Sequence, residues 1–428
     1  MLGISTLIAA NIYFKILNLK LFLSILLMIS FLYLILKLRY EFSLFPLLLI
    51  TKIQRRNFKV LNSMSEIKKV LKLSDKGHVI EELFATPAWH PILSVESTNG
   101  TTWETLRKNL LSFIEHIPSK DKLGSIAQEE ATNLIKNRVV LDSKQISKST
   151  LKIFLKWLFS KKEKTNQTMT KEASANDFSQ NSYIEKNINS NITEDVNSND
   201  EYEFINKFLT EEFLDKMYHS SIEYRKEIAI KGKGCVEKKQ YAVDSIVNIL
   251  KQSKFSNLYD WEKPECYSFI MQPFIISPMI NISDIAVSLQ NFYSKYDNNE
   301  FKNFNSYLDF CLFNEHPFPI LERYEAETNT QYFIDLKSLK DHVSLNDGSV
   351  LNFGMGIRGC LGRVYAREFI NSFFENFIKE EKLFSPKLGH LYSGRDNDNG
   401  SFSESVYQIK VLLNVLKEEI KRNIMSYK

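Results

Sequence analysis

The chain is 428 residues long, 44% hydrophobic and 25% charged, with enough apolar mass for a large core. Its formal charge of +4 and pI near 8.5 fall far short of a concentrated basic stripe, which excludes nucleic acid as a partner. The four cysteines, Cys235, Cys266, Cys311 and Cys360, form no C-x-x-C pair; this excludes a zinc ribbon and a dense disulfide framework and fits a reducing compartment.

In chain order, the first element is the apolar run LFLSILLMISFLYLIL, sixteen uncharged residues between Lys20 and Lys37. As a helix it spans about 24 Å, which matches a thin hydrocarbon core of about 27 Å if the two lysines snorkel to the interfaces. No small-residue cleavage site follows, and the run is too uniformly apolar for a mitochondrial presequence. Residues 1–40 are therefore expected to be an N-terminal transmembrane anchor in the endoplasmic reticulum membrane. Lys37, Arg39, Lys52, Arg55, Arg56 and Lys59 follow the run, whereas only Lys15 and Lys20 precede it. The positive-inside bias then puts residues 41–428 on the cytosolic side.

Next comes STNGTTWETLRKNLL, where Trp103 and Arg107 stand four apart and share one helix face. Helical spacing continues through IEHIPSKDKLGSIAQEEATNLIKNRVV and STLKIFLKWLFS. It breaks at residues 161–203, rich in Asn, Ser, Thr, Glu and Lys. That stretch buries too little apolar surface to offset its ordering entropy and reads as a disordered insertion, or a linker. Helical patterns resume in EFINKFLTEEFLDKMYHSSIEYRKEIA, QYAVDSIVNILKQS and FIISPMINISDIAVSL. Short strands are expected in pieces such as HVSLNDGSVLNF, where Asn346, Asp347 and Gly348 supply a turn. The fold class is mainly α with small β-sheets.

The densest chemical signal is FGMGIRGCLG at residues 353–362, four glycines and a cysteine in a chain with only 14 Gly and 4 Cys. An apolar-periodic segment without proline follows, so Cys360 sits in a glycine-rich loop running into a helix. The partial positive charge and free N–H groups of a helix N-terminus favour a thiolate. The glycines allow close backbone approach, Arg358 offers a carboxylate partner, and Phe353 offers a flat apolar face. A thiolate, an aromatic shield, close backbone and a carboxylate partner suit a haem.

Phe353, Gly356, Arg358, Cys360 and Gly362 stand where the F-x-x-G-x-R-x-C-x-G haem-binding signature of the cytochrome P-450 superfamily has its fixed residues, so the chain resembles that superfamily. Ala366 follows in the family's small-residue position. Trp103 and Arg107 resemble the family's W-x-x-x-R helix, whose side chains reach a haem propionate. The order of anchor, this helix and cysteine loop covers most of the sequence. The resemblance implies a cytochrome P-450-like fold behind the anchor and haem b with Cys360 as axial thiolate ligand of the iron.

The chain also departs from the family pattern. In CLFNEHPFPILER, Cys311 and Asn314 occupy the positions of the family's K-helix E-x-x-R pair, with Glu315 and Arg323 as nearby charges. The oxygen-handling A/G-G-x-D/E-T pattern is replaced by Ile280 and Asn281, leaving Ser283 and Asp284 as the nearest alcohol and acid, the candidate catalytic pair. Pro273 and Pro278 would disturb that helix in place of a glycine kink. The stretch from His316 to Cys360 is short for the family's meander.

Three functions follow. The first is a haem-thiolate monooxygenase acting on an apolar small molecule or lipid, with electrons from NADPH through a flavoprotein reductase. The second is a reductase-independent haem-thiolate isomerase or dehydratase. The third is a degenerate haem-binding membrane protein without catalysis.

Overall fold

The computed structural model describes residues 44–77, 98–161, 200–223, 236–293, 301–318 and 320–378, with isolated positions between and after them. The expected anchor at 1–40 and residues 162–199 of the expected insertion lie outside the described residues, Ser30 apart. The last residues of that insertion belong to the short helix Asp200–Asn206, whose Ile205 is fully buried.

Among the described residues the architecture is mainly α with one small sheet. Helix α1 (Leu44–Ile53) leads into strand β1 (Asn57–Leu61). The helical body follows as α2 (Gly100–Ile114), α3 (Lys120–Lys136), α4 (Ser143–Phe159), α5 (Glu211–Tyr218), α6 (Val236–Gln252), α7 (Pro264–Phe292) and α8 (Phe304–Asn314). Strands β2 (Ile320–Glu325) and β3 (Thr330–Asp335) form an antiparallel hairpin, and helix α9 (Arg363–Ile378) follows the cysteine loop.

Local sequence explains where these helices start. Ser119 accepts from the Lys122 N–H ahead of α3, Asp142 from the Gln145 N–H ahead of α4, and Asn303 from the Ser306 N–H ahead of α8. Pro264 opens α7 at its first position, where a missing N–H costs nothing.

Helix α4 runs through the core: Ile146, Leu151, Ile153, Leu155 and Trp157 are fully buried. Phe113 of α2 anchors an aromatic cluster, its ring centroid 4.8 Å from that of Phe255, 5.7 Å from Phe269 and 5.9 Å from Phe274. Each such ring contributes about 1.5–3 kcal/mol by leaving water. Helix α9 packs closely on α3, with Phe369, Phe373, Phe374 and Phe377 buried.

The sheet has strand order β1-β3-β2, and β1 pairs with β3 in parallel from Asn57↔Thr330 to Leu61↔Ile334. A parallel pair needs a crossover, and here the helical body supplies it. The expected strand in HVSLNDGSVLNF is corrected. Ser344 accepts from the Asp347 N–H and caps a short helix, Leu345–Gly348, which passes into a 3₁₀ turn, Ser349–Leu351. Cap geometry wins over the alternating pattern there.

The two interior prolines of α7, Pro273 and Pro278, leave it one continuous helix. Residues Met271–Ile276 widen into a π-helical segment, with the Ser277 N–H donating to the Gln272 carbonyl five residues back. That wider turn absorbs the missing N–H groups of Pro273 and Pro278. Among the described residues, α7 is also the one helix long and apolar enough to cross a membrane, with mean hydropathy 1.4 over its most apolar window. Of that window 83% is buried inside the protein, the packing of a core helix.

Candidate functional site

Where α2, the π segment of α7, β2 and the cysteine loop meet, they enclose a cavity of ≈ 330 Å³, taken as the space open to the centres of water molecules. That volume is in the range of small-molecule sites. Its walls join groups remote in sequence: Trp103 and Arg107 from α2, Asn281 and Ile285 from α7, and Phe353, Arg358, Cys360 and Gly362 from the loop.

The loop is built for close approach. Gly354 and Gly356 hold positive φ, +66° and +73°. The Cys360 N–H donates to the Phe353 carbonyl at 2.9 Å, and the Gly359 N–H to the Gly356 carbonyl at 2.9 Å. The Gly362 carbonyl then accepts the Ala366 N–H at 2.8 Å and starts α9. A Cβ added at Gly362 would lie 3.7 Å from Cys360 Sγ, an ordinary contact.

Cysteine burial singles out one thiol. Cys360 is exposed, whereas Cys266 and Cys311 are buried. Burial pushes the Cys311 thiol up to about 12, and burial together with Glu265 and Asp260 raises that of Cys266. Among the described cysteines, Cys360 is the one on the cavity wall.

Arg358 is buried, and its guanidinium is engaged with oxygens of the protein itself. It donates to the carbonyls of Ser74, Val95 at 3.3 Å and Thr98 at 2.9 Å, and to Asn99 Oδ1. It also stacks 4.5 Å from the Trp103 ring centroid. Arg358 thereby ties the loop to the segment entering α2, a role sequence reading missed. Arg107 approaches the same ring, 5.6 Å from its centroid. Trp103 itself is buried, only 5% exposed.

Ser283 and Asp284 are not brought to the cavity. Ser277, Pro278, Asn281, Ile282 and Ile285, spaced three and four apart, turn one face of α7 toward it. Ser283 and Asp284 are fully buried away from that face, the Ser283 hydroxyl without a hydrogen-bond partner among the described residues.

Several cavity groups were not legible as a site. Glu322 and Arg323, consecutive on β2, are buried at 1% and 3% exposure and line it. Glu322 accepts from Gln331 Nε2 at 3.1 Å. Neither Cys311 nor Asn314 forms a charged pair: Cys311 is a neutral buried thiol, and Asn314 Nδ2 donates to the Phe310 carbonyl at 2.8 Å. Instead Asp309 of α8 is ion-paired with Arg367 of α9.

His316 also lines the cavity. Its Nδ1 accepts from the Phe318 N–H at 2.9 Å, so the proton sits on Nε2, which donates to the Asn352 carbonyl at 2.9 Å. Burial, the largest effect, holds its pKa below the ordinary histidine value of about 6.5. The native state then binds fewer protons than the unfolded chain between the two values. Stability from His316 is full above the unfolded value and is lost as pH falls through the lower native one. Urea titrations at acid and neutral pH are expected to show this acid loss, and His316→Gln to reduce it. Equal acid sensitivity in both proteins would assign it to other groups.

The chain matches no known protein-family model and no curated protein sequence.

Proposed function

We propose that this chain is a membrane-anchored haem-thiolate monooxygenase that oxidises an apolar small molecule or lipid, with Cys360 as the axial ligand. One observation carries the reading: Cys360, Phe353 and the Trp103–Arg107 pair, about 250 residues apart in sequence, share one cavity. The donor set fits the group. An exposed cysteine lines the cavity, and the Trp103 indole N–H and the Arg107 guanidinium, which line it too, are donors of the kind a carboxylate takes.

When bound, haem b would supply oxygen activation, with electrons from NADPH through a flavoprotein reductase. The chain's own residues do the rest. Cys360 presents its sulfur from the end of a loop held by backbone bonds. Phe353 gives an apolar cover, and Ile282, Ile285 and Phe274 give the α7 wall apolar surface for the substrate. The apolar run between Lys20 and Lys37 supports delivery of such a substrate from the endoplasmic reticulum membrane.

A second reading is favoured by the placement of Ser283 and Asp284. With that acid and alcohol off the cavity wall, Gln272, Ser277 and Asn281 are the polar residues of α7 that line it. This supports a haem-thiolate isomerase or dehydratase that needs no reductase. Turnover that depends on NADPH and reductase supports the first reading, and turnover without them the second.

The test is the carbon monoxide difference spectrum of the reduced full-length protein in membranes. A strongly red-shifted thiolate band is expected. Arg107→Ala is expected to lower haem affinity by roughly tenfold or more, the worth of a charge-assisted hydrogen bond. A wild-type protein that retains no haem would overturn the reading, and unchanged haem affinity in Arg107→Ala would remove Arg107 from the site.

A further inference from the structure

A single carboxylate oxygen joins the two ends of the cysteine loop. Asp309 Oδ1 accepts from Asn352 Nδ2 at 3.0 Å, at the residue immediately before Phe353. The same oxygen accepts from Arg367 Nη2, in the second turn of α9 beyond the loop. The pair is sheltered, with side-chain exposures of 18% for Arg367 and 27% for Asp309. Arg367 also lies 5.2 Å from the Phe353 ring centroid and reaches Asn305 Oδ1 at 3.4 Å. From the opposite side, His316 holds the Asn352 carbonyl.

Between these two anchors the loop is glycine-rich; Arg358 ties its middle to the segment before α2, and the bonds within its own backbone are few. The Gly354 N–H donates to Leu351, Gly359 to Gly356 and Cys360 to Phe353. A chain of this composition has many conformations to lose, and fixing both ends to one atom removes much of that freedom. Removing the carboxylate also leaves a half-buried guanidinium and a buried carboxamide without their shared acceptor.

We infer that Asp309 is a positioning residue for Cys360: it clamps Asn352 and Arg367 together and so holds the sulfur at the cavity wall. The thiolate role of Cys360 rests on the function proposed above, whereas the clamp itself is a property of the loop. Sequence reading placed no lock at this point, because Asp309 and Arg367 are 58 residues apart.

The experiment is amide hydrogen exchange on the purified full-length protein, read at Gly354, Gly359 and Cys360, alongside the carbon monoxide spectrum. Asp309→Ala is compared with Glu130→Gln, which weakens the Lys152–Glu130 ion pair (2.7 Å) between α3 and α4. Exchange in the loop is expected to accelerate by about tenfold or more in Asp309→Ala and to stay at the wild-type rate in Glu130→Gln. The thiolate band should weaken or shift in Asp309→Ala alone. If Asp309→Ala does not accumulate as folded protein, Asp309→Asn and Arg367→Lys carry the same contrast with smaller accelerations. Unchanged loop exchange in the Asp309 variants, or equal acceleration in Glu130→Gln, would overturn the clamp. A wild-type protein without a thiolate band would defeat the haem proposal, and the exchange contrast would still decide the clamp.

Discussion

Cys360→Ala is expected to abolish the thiolate band completely while changing unfolding free energy by less than about 1 kcal/mol. The sulfur is exposed, so its loss leaves no core cavity. The bond from the Cys360 N–H to Phe353 involves backbone alone and survives the change. No described cysteine stands ready to replace it. Cys266 and Cys311 are buried, and burial pushes the Cys311 thiol up to about 12, which keeps it protonated. The measurement pairs the carbon monoxide spectrum with denaturant unfolding. A thiolate band that persists in the variant would move the ligand to another cysteine; loss of band together with loss of fold would make Cys360 structural.

Gly356→Ala should be the most damaging single change in the loop, costing roughly 3 kcal/mol or more. Two penalties combine there. Its φ of +73° is left-handed, and an added Cβ would lie 2.2 Å from the Leu71 carbonyl oxygen and 3.0 Å from its carbon. Those are backbone atoms, at the end of the short helix Met64–Val70, and they cannot turn aside as a flexible side chain could. Gly354→Ala makes the comparison informative. Its φ of +66° brings the same strain, but its nearest neighbour, Gly359 Cα, would be 3.7 Å away. It should cost only about 1–2 kcal/mol. Chemical unfolding of the two variants separates the causes, and equal losses would show that strain alone governs both positions.

The helices were largely legible because their determinants are close in sequence. Apolar spacing marks the buried faces of α4 and α9, and polar residues just ahead of α3, α4 and α8 accept the N–H groups that start them. The cysteine loop was legible for the same reason: its glycines, aromatic and thiol lie within ten residues. The sheet was not. Strand β1 pairs with β3 some 270 residues later, and nothing in NFKVL names that partner. HVSLNDGSVLNF misled because its alternation is weaker than the Ser344 cap.

The site divides along the same line. Spacing put Trp103 and Arg107 on one face, and the structure brings both to the cavity. For Ser283 and Asp284, helical periodicity set only which residues they would travel with. Packing of α7 against α4, with the Ser147 hydroxyl donating to the Met279 carbonyl at 2.8 Å, goes with their burial away from the cavity. Arg358 turned out to hold carbonyls of the segment before α2, and the Asp309–Arg367 pair joins two helices that the sequence leaves unconnected.

By itself, then, the sequence determined most of the helices, the glycine-rich loop and the one cysteine set in it. These depend on bonds and conformational preferences that act over a few residues. Only the tertiary structure decided which helix faces meet the cavity, which charges pair behind the loop and which thiol stays exposed. Those outcomes depend on contacts between residues tens to hundreds of positions apart, and local propensity carries no information about such partners.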